Sequence, residues 1–72
     1  MIDVQLRADA VKLMNRLPER QREVVYMKFF EDKSFKEIAE QTKVSINTSL
    51  GRMHYAIINM RRMAKKYDIL SI

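Results

Sequence analysis

One stretch of this chain concentrates side chains able to do recognition chemistry. Wound at about 100° per residue, the segment that begins at Ile46 places Asn47, Thr48, Gly51, Tyr55, Ile58 and Arg62 on one side. Arg52 and Asn59 flank that side on one edge, His54 and Lys65 on the other. The face offers amide, hydroxyl, aromatic and cationic groups, and no carboxylate occurs between Ser45 and Tyr67. A merely solvated helix surface mixes both signs. A face without acid suits a polyanion, and short polar residues in its first turns suit the floor of a DNA major groove.

Catalysis is a poor alternative. Glu19, Glu23, Glu37 and Glu40 have no nucleophile, histidine pair or glycine loop beside them and read as helix caps and helix-pair partners. With one histidine and no cysteine in 72 residues, neither a metal site nor a disulfide framework is expected, and no cofactor motif occurs. The candidate DNA-binding residues are therefore Ser45, Asn47, Thr48, Gly51, Arg52, His54, Tyr55 and Arg62, joined by Lys36 and Lys43 just upstream.

Charge distribution agrees. The net charge is +5, yet residues 1–44 contribute only +1, while residues 45–72 set Arg52, Arg61, Arg62, Lys65 and Lys66 against the single Asp68. The positive field belongs to the last helix, as a phosphate-binding element requires. Cations at a helix C-terminus are also favoured by the dipole without any ligand, which is the competing account of Arg61, Arg62, Lys65 and Lys66.

These residues need elements to hold them. Ser34 followed by Glu37 has the form of a capping box, so a short helix is expected to begin at Phe35 and to bury Phe35, Ile38, Ala39 and Thr42. Lys43 and Val44 break it, and Ser45 is placed to cap the next helix by accepting from the N–H of Asn47 or Thr48. Helix, short break and helix make a helix-turn-helix. The core side of the last helix is expected to comprise Ile46, Ser49, Leu50, Met53, Ala56, Ile57, Met60, Met63 and Ala64. Gly51, the only glycine, lies inside this helix at a cost of about 1 kcal/mol against alanine, so it asks for a reason: close approach of a DNA edge, or a close helix crossing.

Upstream, Ile2, Leu6, Ala10, Leu13, Met14 and Leu17 predict an amphipathic first helix with Asp3 as a plausible cap. Pro18 ends it and starts a second helix that should bury Val24, Val25, Met27 or the stem of Lys28, and Phe29. The expectation is an all-α, winged-helix-like domain over residues 1–72, with helices at about 3–16, 18–30, 35–42 and 46–67. The tail after Tyr67 either packs back or is disordered. No apolar run approaches the roughly 20 residues that cross a bilayer, and the N-terminus lacks signal-peptide order, so the chain reads as soluble and cytoplasmic.

Together, LPERQREV (Leu17 to Val24), SFKEIAE (Ser34 to Glu40) and SINTSLGRMHYA (Ser45 to Ala56) resemble region 4 of bacterial RNA polymerase sigma factors, nearest to the extracytoplasmic-function group. The resemblance implies a domain that binds the upstream, minus-thirty-five promoter element in double-stranded DNA. It also implies that the first helices meet the flap of the polymerase β subunit and an anti-sigma factor. The family's Ser-x-x-Thr start is present as Ser45 and Thr48, and its Ser-Arg pair is represented by Gly51 and Arg52. Two positions depart: Leu50 stands where a basic DNA-contacting residue is common, and Ser49 where a small apolar residue is usual. With no region 2 in the sequence, the chain reads as an excised domain or a free-standing region 4-like protein. Two other readings compete, the dimeric effector domain of a LuxR-type regulator and a protein-interaction module that has kept the fold; Arg52 and the LPERQREV lead favour the sigma-like one.

Overall fold

The computed structural model describes residues 9–66. Within them the chain forms four helical segments and no strand, so the all-helical expectation holds, without a wing among the described residues. The expected cap Asp3, the apolar positions Ile2 and Leu6, Tyr67 and the tail lie outside the described residues.

The first helix, α1, is helical through residue 14 and ends in a tightened turn in which the Arg16 and Leu17 amides reach back three residues, to the Leu13 and Met14 carbonyls, at 3.0 Å each. Pro18 follows with φ −54° and ψ 150°. Its φ is set by the ring, but the extended ψ puts it one place before the helix, as N-cap, rather than inside it as first residue. This kink redirects the chain into α2, Glu19–Phe29.

Helix α2 buries Val24, Val25 and Met27. The half-buried Lys28 lays its ammonium 4.8 Å from the centroid of the Phe35 ring, a cation–π contact that joins α2 to the next helix. Phe29 was expected inside and is 68% exposed. The buried stripe is centred between Val24, Val25 and Lys28, and Phe29, a further ~100° round, has turned past its edge. Tyr26 and Phe30 stack outside with ring centroids 5.3 Å apart.

The connection from α2 is held by its own backbone. The Phe30 and Glu31 amides both donate to the Tyr26 carbonyl and Lys33 donates to that of Met27, with Asp32 at φ 54° making the bend. Lys33 forms an ion pair with Glu31 at 2.9 Å and also donates to Gln41. Helix α3, Phe35–Thr42, opens on the anticipated capping box: the Glu37 amide donates to Ser34 Oγ at 3.1 Å and the Ser34 amide to Glu37 Oε1 at 2.8 Å. It buries Ile38 and Ala39, and Thr42 spends its hydroxyl on the Ile38 carbonyl at 2.7 Å.

Helix α3 ends in a Schellman motif built without glycine. Lys43 takes the left-handed conformation, φ 59° and ψ 44°, its amide donating to the Glu40 carbonyl and that of Val44 to the Ala39 carbonyl. Helix α4, Ile46–Lys66, then packs against α2 and α3. Met14, Leu17, Val24, Val25, Met27, Ile38, Met53 and Ala56 form a single core cluster, with Phe35, Met60 and Met63 at its margin. Every helix contributes to it, which is how a chain this short gathers a core.

Candidate nucleic-acid interface

Helix α4 begins on Ser45, whose Oγ accepts from the Thr48 amide at 3.0 Å and also donates to Thr48 Oγ1 at 3.0 Å. The cap satisfies one of the free N–H groups of the first turn, so the helix starts at a defined residue and Asn47 projects from a rigid turn. Asn47 and Thr48 are exposed. Four residues on from Asn47, Gly51 faces open space: a Cβ built there would meet nothing within 4 Å. Among the described residues no helix crosses close to it, so they give no support to the close helix crossing considered for this glycine.

Beyond Gly51 the open face continues through His54 and Tyr55, which meet edge to face with centroids 5.5 Å apart, to Arg62. Tyr55 is 60% exposed. Lys36, in the first turn of α3, and Lys43, at its C-cap, are exposed as well. Because Lys43 is left-handed, the turn that separates the two helices carries a cation where a glycine would carry none.

Four positions differ from expectation. Arg52 is half-buried, and its Nη1 is sealed from solvent with no hydrogen-bond partner, so it does not stand on the open face with Asn47 and Gly51. It lies ~100° round from Gly51, on the edge that turns towards the core. Ile46 and Leu50 were both placed in the core and are 45% and 44% exposed; Ile57 is exposed too. The cause is the choice of contact residues. Ser49 and Ala56 are fully buried and Met53 and Ala64 nearly so, and small side chains at 49 and 56 allow close approach of the neighbouring helices along that line. Burial is thereby centred on one narrow stripe, and the residues on its flank rotate outward.

Asn59, on the same edge as Arg52, is bonded within the fold: its Nδ2 donates to Gln21 Oε1 of α2 at 2.7 Å. Ile46 and Leu50 are the positions of the open face that sequence reasoning missed. The available signal was the pair of small residues, Ser49 and Ala56, which mark the tightest line of contact better than the large ones do.

The electrostatics of the face are simple. No acidic side chain lies on α4, and its last turn carries Lys65 and Lys66. In the scaffold, the Ser34 amide, then the Ser34 hydroxyl, with Lys33 nearby, hold the Glu37 carboxyl below its ordinary 4.5. Among the described residues no three His, Cys, Asp or Glu side chains cluster as metal ligands would, and no helix is long and apolar enough to cross a membrane.

Comparison with known proteins agrees with this geometry. Residues 7–55 match the protein-family profile described as sigma-70, region 4. RNA polymerase sigma factor SigV of Bacillus subtilis (strain 168) is 34% identical over 61 residues, covering 85% of this chain and 37% of that protein. The chain thus spans little more than a third of the length of this curated relative. No solved structure matches it. The profile match takes in α1 to α3 and the first half of α4, ending at Tyr55, so Arg62 lies beyond it.

Proposed function

The chain belongs to the sigma-70 region 4 family, and from that premise we propose that it binds double-stranded promoter DNA at the upstream, minus-thirty-five element, with α4 in the major groove. The observation that supports this most is the open face of α4: Asn47, Thr48, Gly51, His54, Tyr55 and Arg62 on one helix with no acidic residue among them. Short polar groups in the first turns reach base edges, and the later turns climb to phosphates. Ser45 sets where the helix starts, Lys36 and Lys43 add cations from the preceding helix and turn, and Arg52 acts from the edge. The role is binding, exercised in the cytoplasm by residues 1–72 as one domain. The family match favours this over a LuxR-type dimer.

Selection of bound duplexes from a random pool, followed by titration over a range of salt, tests the proposal. A recovered consensus, with affinity falling linearly in log salt at a slope of several units, is the expected result. Recovery of no consensus, with binding indifferent to salt, would refute it.

A second surface supports a protein partner. Phe29, Phe30 and Ile57, all exposed, rim an apolar groove floored by Met14, Val25 and Met53, and Asn47 is not among its lining residues. This groove is the proposed seat of RNA polymerase core through the β flap, and of an anti-sigma factor where one exists. Phe29→Ala should weaken a pull-down of polymerase core and leave DNA affinity unchanged.

A further inference from the structure

We infer that Ile46 and Leu50 read the C5 methyl groups of thymine, so that the DNA target of this chain carries thymines where the first two turns of α4 meet the groove floor. This rests on the DNA-binding reading and specifies its ligand. Both side chains stand nearly half exposed at the start of α4, at positions 46 and 50, one helical turn apart and interleaved with Asn47, Thr48 and Gly51. Four residues apart on a helix, the two side chains are neighbours, and covering the small apolar patch they form with an apolar group is favourable. In a major groove the apolar group is the thymine methyl; every other feature of the base edges is a donor or an acceptor.

Two observations favour DNA over a protein as the partner. The apolar groove rimmed by Phe29, Phe30 and Ile57 is lined on α4 by Met53, Ile57 and Met60 and includes neither Ile46 nor Leu50. The pair is instead flanked by cations: exposed Lys43 precedes it, Arg61 follows on the same flank, and α4 has no carboxylate. Gly51 next to Leu50 adds clearance, because no side chain of its own holds the helix off the base edges. Four residues of helix rise about 6 Å, a little under two base-pair steps of about 3.4 Å, so the two side chains address bases within two steps of each other.

The test uses the whole chain and the duplex it selects from a random pool, with each thymine replaced in turn by deoxyuridine. The replacement removes the methyl group and preserves every hydrogen-bonding group. The native chain should bind about four-fold more weakly at one or two positions, the worth of one methyl-sized carbon removed from water. Leu50→Ala, folded by circular dichroism because the site is exposed, should bind the thymine duplex more weakly and become blind to uracil at one of those positions. Leu50→Arg should select guanine there, through the bidentate fit of a guanidinium to O6 and N7. Equal binding of thymine and uracil duplexes at every position overturns the inference while leaving DNA binding intact. So does a uracil penalty that persists in both Ile46→Ala and Leu50→Ala, or a Leu50→Ala defect confined to the complex with polymerase core. Absence of any selected duplex overturns the DNA reading itself and the thymine assignment with it.

Discussion

Asn59 donates its side-chain amide to Gln21 Oε1 at 2.7 Å, tying the middle of α4 to the first turns of α2 across 38 residues of sequence. The bond is partly buried and fixes the rotation of α4 about its own axis, which decides which side chains stand on the open face. Asn59→Ala should lower stability by about 1 kcal/mol, the usual net worth of such a bond plus the unpaired partner it leaves. Combined with Gln21→Ala, the loss should fall short of the sum of the single losses by about 0.5 kcal/mol or more. Urea unfolding of the four chains measures this, and strictly additive losses would show that the two side chains do not interact.

Ser49 points the other way energetically. It is completely buried, and its Oγ has no hydrogen-bond partner. Ser49→Ala removes an uncompensated hydroxyl and adds helix propensity, so stability should rise by about 1 kcal/mol. The expected sign in denaturant is a higher midpoint at unchanged slope; a loss of stability would mean that the hydroxyl is satisfied.

Lys43 holds a left-handed backbone that costs an ordinary residue about 1–2 kcal/mol. Lys43→Gly should therefore stabilise the domain by about 1 kcal/mol while keeping the turn. If its ammonium also meets a phosphate, the same change weakens DNA binding and reduces the salt slope by about one unit. A thermal melt and a salt titration of the one variant separate the backbone effect from the charge effect.

The capping box at α3 makes stability depend on acid. The folded-state carboxyl of Glu37 lies below its ordinary 4.5, so the unfolded chain binds the proton more tightly than the folded one. The contribution is complete above about pH 4.5 and is lost as pH falls through the lower, folded value. Glu37→Gln keeps a reciprocal acceptor without the titration, and its stability should change less between pH 5 and pH 3 (roughly the span over which a lowered carboxylate titrates) than that of the native chain. Parallel loss in both proteins would place the acid sensitivity elsewhere.

Arg62 and Asn47 should fail in different ways. Arg62→Ala is expected to weaken matched and mismatched duplexes alike and to reduce the salt slope by about one unit, the signature of one lost phosphate contact. Asn47→Ala should instead narrow the gap between matched and mismatched duplexes by about 1–3 kcal/mol, as loss of a base contact does. Binding isotherms at two salt concentrations distinguish them; the reverse pattern would mean that α4 lies in the groove the other way round.

Local chemistry was legible in the residues alone. The Ser34–Glu37 and Ser45–Thr48 caps are contacts between residues three apart, so their spacing in sequence is already their spacing in space, and the starts of α3 and α4 follow. Pro18 and the run of Glu31, Asp32 and Lys33 marked the breaks for the same reason. The rotation of α4 was another matter. Ile46, Leu50 and Ile57 satisfy a helical period as well as Met53 and Ala56 do, and periodicity cannot say which edge of a broad apolar arc faces inward. Packing decided it: the small residues Ser49 and Ala56 at the tight line of contact, and the Asn59–Gln21 bond, turn that arc so that one flank is exposed. Phe29 is exposed because α2 meets its neighbours along Val24 and Val25, and Lys43 is left-handed because the turn into α4 requires it, glycine or not. The rotation of α4 and the exposure of Phe29 depend on partners distant in sequence, and only the assembled core brings them together.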